Sequence, residues 1–70
     1  MMDLSTRWEE REGRAVCVGE AFCPRGQLLA SVRFEAPHSL QLVGTPNFAD
    51  LRVEAEWFVK RAVLAYAERR

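Results

Sequence analysis

Seventy residues, 49% apolar and 29% charged, with ten basic side chains balanced by ten acidic ones, describe one small globular domain spanning positions 1–70. A chain this short buries only about 60% of its unfolded surface, so its stability margin is thin and a partner or a second copy would widen it. Zero net charge gives no counterion-release drive toward nucleic acid, and no apolar run is long enough to span a bilayer or act as a secretory signal, so a cytoplasmic chain is expected.

The first predicted strand carries Leu4 and Trp8 on one face and Arg7 and Glu9 on the other. Arg11-Glu12-Gly13 then reads as a three-residue hairpin loop ending in a left-handed glycine, which sets Glu10 opposite Arg14. The second strand runs from Arg14 to Cys23, and Pro24-Arg25-Gly26 closes a second three-residue loop with Cys23 opposite Gln27. The third strand follows to Glu35. After the looser turn Ala36-Pro37-His38-Ser39, a short fourth strand supplies Leu40 and Leu42.

A one-residue slip in register moves every side chain to the other surface of a sheet. With these loop lengths the inner face holds Leu4, Trp8, Val16, Val18, Phe22, Leu28, Ala30, Val32, Phe34, Leu40 and Leu42. The outer face, rich in Ala15, Cys17, Gly19, Ala21 and arginines, is small and polar and is expected to face water.

Gly44-Thr45-Pro46 marks entry into a helix over 45–70, with Thr45 as N-cap and Pro46 as first helical residue. Asp50 near its start, Arg69 and Arg70 near its end and a Glu56–Lys60 pair at i, i+4 all favour a real helix. Phe48, Leu51, Ala55, Phe58, Val59, Ala62 and Tyr66 fall on one side and are assigned to the sheet; Val53, Trp57 and Leu64 lie nearly opposite. The expected fold is thus α+β, a four-stranded antiparallel meander (β-β-β-β-α) over 1–44 with one long C-terminal helix packed on a single sheet face.

The second apolar stripe exceeds what one protomer's core can take. Val53, Trp57, Lys60, Arg61 and Leu64 are the candidate partner-binding residues, with Glu54 and Glu68 completing a polar rim. A bland alternative is that Met1 to Leu4 fold over this stripe.

No catalytic, cofactor-binding or metal-ligating signature is present. Cys17 and Cys23, six positions apart in one strand, are too distant for a disulfide and lack zinc-hairpin spacing; His38, the single histidine, sits in a turn. Glu20 is the one ionisable residue on the expected inner face, and a bulge near Gly19 or a place beyond the helix's cover is its expected explanation.

Three functions compete. The favoured one is a small non-enzymatic protein-binding protein, a homodimer or a regulator or inhibitor docked on a larger complex, of a size and plainness common among phage and mobile-element proteins. The second is nucleic-acid binding through Arg7, Arg11, Arg14, Arg25 and Arg33, disfavoured by zero net charge and inward-facing aromatics. The third, an enzyme using Glu20, His38 or Cys17, suffers from the scatter of those residues and from the little concave volume a single-layer domain offers. No cofactor or small-molecule substrate is implied.

Overall fold

The computed structural model describes residues 2–69. Three strands, β1 (Asp3–Arg11), β2 (Arg14–Phe22) and β3 (Leu28–Glu35), form one antiparallel sheet in the order β1-β2-β3. A single helical turn, α1 (Leu40–Val43), and a 3₁₀ turn over Pro46–Phe48 lead into α2 (Ala49–Glu68). The expected four-stranded meander is therefore corrected to three strands and a C-terminal helix, still α+β.

Leu40 and Leu42 become helical because local donors find local acceptors. Ser39 caps α1, its hydroxyl accepting from the Leu42 N–H at 3.2 Å, and the Glu10 carboxylate accepts from the Leu40 N–H at 3.1 Å. Before this turn the chain still follows β2: the Ala36 N–H donates to the Ala15 carbonyl at 2.8 Å, and the Ala15 N–H donates to the His38 carbonyl at 2.7 Å. Thr45 precedes the 3₁₀ turn without capping it, its hydroxyl donating instead to the Leu42 carbonyl at 2.7 Å. Pro46 opens that turn as expected, and the α-helix proper starts at Ala49. The expectation for Arg70 at the helix end lies outside the described residues, as does Met1.

The first hairpin closes through two residues rather than three. Glu12 and Gly13 both take positive φ, 52° and 80°, and Arg11 pairs with Arg14. Such a turn matches the twist of the flanking strands, but it slips β1 by one residue against β2, so that Trp8 lies beside Cys17 instead of Val16. The second hairpin forms as expected, with the Cys23 N–H donating to the Gln27 carbonyl at 2.9 Å and Gly26 at φ 86°. A bulge follows at once: one step on β2, Phe22 to Ala21, matches two on β3, Leu28 to Ala30. Beyond it Cys17 faces Phe34.

Together the slips invert β2, and Leu28, which precedes the bulge opposite Phe22, goes with it to the other side and is 51% exposed instead of facing the helix. Trp8, Ala30, Val32 and Phe34 face the helix as expected, but the middle strand presents Ala15, Cys17, Gly19 and Ala21 to it, and Val16, Val18 and Phe22 go to the other side. This arrangement lets α2 sit close. A Cβ on Gly19 would come within 2.9 Å of the Val59 Cβ and 3.0 Å of the Val59 carbonyl, so only glycine fits beneath that turn. The larger Trp8 and Phe34 wrap the helix from the two edge strands.

On the open face Val16 and Val18 are nonetheless buried. Their cross-strand neighbours are Glu9, Glu35, Arg7 and Arg33, long side chains of the kind whose aliphatic stems cover apolar surface. Ion pairs tie these arms together: Arg7 with Glu9 and Glu20, Arg11 with Glu9, and Arg14 with Glu35. Glu20 thus belongs to the open face, partnered by Arg7, and is not an inner-face carboxylate.

Candidate interaction surface

The close approach at Gly19 decides which side of α2 is buried. Only small or β-branched side chains fit above Cys17, Gly19 and Ala21, and Ala55, Val59, Val63 and Ala67, spaced four apart, occupy that seam. The expected inner set is corrected accordingly. Phe58 and Tyr66 are displaced to the β3 flank and remain more than half exposed, at 54% and 56%. Phe58 meets Phe34 edge to face with ring centroids 6.0 Å apart, whereas Val63, assigned to neither stripe from the sequence, is fully buried.

On the β1 flank, the Glu56 carboxylate accepts from the Trp8 Nε1–H at 2.9 Å. That contact replaces the expected ion pair with Lys60, which does not form among the described residues. Glu56 and Lys60 also act on Cys17. Burial pushes this thiol up to about 11, with Glu56 raising it further and Lys60 opposing.

Of the five residues proposed from the sequence for partner contact, Trp57 is 62% exposed and Val53 66%; Lys60 and Arg61 are exposed and Leu64 is half-buried. At 100° per residue all five fall on the side of α2 turned away from the sheet. Trp57 and Arg61 join Glu54, Phe58 and Ala62 around an open cleft of about 520 Å³ along the outer and β3-facing side of α2. Val53, Lys60 and Leu64 are not among its walls. A second hollow of about 540 Å³ follows on the same flank, between Tyr66 and residues Leu29 to Val32 of the edge strand.

Among the described residues of the Met1 to Leu4 segment, none covers Trp57. Met2 packs with Ala21, Val63 and Ala67 at the far end of the core, and Leu4 stands in β1, 37% exposed. Large exposed aromatics in a row along one helix are uncommon on a small monomer and mark contact surfaces. Phe58 and Ala62 were missed because the helical period alone leaves the rotation of α2 undetermined. The signal that fixes it is the period-two run of small residues on β2 meeting the period-four run of Ala55, Val59, Val63 and Ala67.

The residues considered for other chemistry do not converge. Cys17 is buried beneath α2, Glu20 is on the opposite face of the sheet, and His38 stacks edge to face on Phe48 with centroids 4.8 Å apart. Both cysteines are free thiols. Three of the five arginines considered for phosphate contact, Arg7, Arg11 and Arg14, are paired with glutamates. Among the described residues no helix is long and apolar enough to cross a membrane. No family model, curated protein or solved structure matches this chain.

Proposed function

We propose that this chain is a small, non-enzymatic protein-binding module of the cytoplasm, a homodimer or a regulator or inhibitor seated on a larger assembly, and that the outer face of α2 is its contact surface. One observation carries the reading: Trp57 and Phe58 stand side by side in water on a rigid helix, flanked by one acidic and one basic residue. Aromatic anchors inside a charged rim supply much of the energy in protein interfaces. The cytoplasmic assignment draws on two unpaired thiols, a state favoured in reducing compartments.

The test is site-specific photo-crosslinking in cells that express the chain. A photoreactive residue replacing Ala65, exposed on α2, is expected to give protein adducts that Trp57→Ala abolishes. The same group replacing Arg33 on the open sheet face is expected to give none. Adducts from position 33 alone, or adducts from position 65 indifferent to Trp57, would sink the reading.

A further inference from the structure

The outer face of α2 carries its own electrostatic complement. Glu54 and Arg61 lie on either side of the Trp57–Phe58 pair, each three and a half residues from its midpoint, and at 1.5 Å rise that is about 5 Å of axis in each direction. A two-fold axis through the midpoint, perpendicular to the helix, superposes position i of one helix on position 115 minus i of the other. Glu54 then stands level with Arg61 of a second copy, twice over, and Trp57 with Phe58. Ala62 then stands level with the exposed Val53 of the second copy.

A parallel pairing in the same register would instead set Glu54 against Glu54 and Arg61 against Arg61. Within the chain neither residue has an ion-pair partner among the described residues, in contrast to the paired arginines of the open sheet face.

We infer that the occupant of the Glu54–Trp57–Phe58–Arg61–Ala62 cleft is a second copy of this chain, docked antiparallel through α2 with the two-fold axis between Trp57 and Phe58. This rests on the protein-binding reading above and names its partner. A contact made by one helix from each side falls at the low end of interface sizes, below about 1,200 Å² in total, so the association is weak and reversible.

The test is sedimentation equilibrium of the full chain from micromolar to millimolar concentration, with circular dichroism to confirm that each variant is folded. Both charged residues are exposed, so reversing them leaves the chain's own core untouched. Glu54→Arg alone or Arg61→Glu alone creates two like-charge pairs across the axis and is expected to weaken dimerisation by about tenfold or more. The double reversal E54R/R61E is expected to return the dissociation constant to within about threefold of the original. An equimolar mixture of the two single variants is expected to associate as the unmodified chain does.

A chain that stays monomeric throughout overturns the inference, as does a dimer indifferent to both reversals or one that the double reversal fails to restore. If the chain is monomeric yet Trp57-dependent adducts with another protein form from position 65, self-pairing fails while the protein-binding reading stands. If neither appears, both fail.

Discussion

Cys17 shows how much one side chain can report about the core around it. Its thiol is fully buried against Ala55 and Val59, and its pKa is pushed from 9.0 to about 11, by burial first, then by the Glu56 carboxylate, against a smaller opposing effect of Lys60. Below pH 9 the thiol is neutral in both folded and unfolded chains, and its contribution is constant. Between pH 9 and 11 the unfolded chain releases the proton while the folded chain retains it, so stability falls through that window and levels off above it, by roughly 2 to 3 kcal/mol in total. Urea unfolding in the presence of reductant, at about pH 8 and about pH 10.5, checks this against Cys17→Ala. The unmodified chain is expected to lose more stability between the two conditions than the variant. Equal losses would show that Cys17 meets water.

At the scale of elements, the two-residue turn between β1 and β2 controls which face of the middle strand meets the helix. Gly13 at φ 80° can be replaced by alanine only at a cost of about 1 kcal/mol, while Glu12 at φ 52° already bears that strain. Glu12→Asn is therefore expected to stabilise by roughly 0.5 kcal/mol, since asparagine tolerates the left-handed region and suits the first corner of such a turn. Chemical denaturation of the two variants reads opposite signs if the turn has two residues. With the three-residue loop, replacing Glu12 would change little.

The same turn marks the boundary of what was legible in the sequence. Trp8, Ala30, Val32 and Phe34 face the core as the alternation says, and Pro24-Arg25-Gly26 turns as its glycine says. Arg11-Glu12-Gly13, however, suits two loop lengths, and the shorter one places a glutamate at positive φ, which residue preference argues against. The bulge beside Leu28 carries no composition signal at all. Two slips of one residue each invert Val16, Val18 and Glu20 together. The Leu40–Val43 segment lost its strand because Ser39 and Glu10 supply the donors of a helical turn with acceptors. In the helix, Trp57 was legible as surplus to the core; Phe58 was not, since only the close packing at Gly19 shows that a large ring cannot enter the seam.

For the molecule as a whole, the two outward surfaces solve the same problem differently. Val16 and Val18 on the open sheet face are buried by their own chain, with arginines and glutamates on the flanking strands, most of them ion-paired. The outer face of α2 has no such cover over Trp57, which is 62% exposed. Trp57→Ala should therefore cost little within a single chain but remove much of what a second copy gains by docking. These two effects separate by concentration, because association stabilises the folded state by mass action whereas a core defect does not. The thermal midpoint of the unmodified chain is expected to climb as the protein is concentrated, and that of Trp57→Ala to stay flat, with the two converging at high dilution. In a domain of this size about 1 kcal/mol moves the midpoint by roughly 4 to 8 °C, so melting curves over a wide concentration range resolve the difference. A variant displaced by the same amount at every concentration would place the indole's role inside its own fold, and the helix surface would then have to be read as structural.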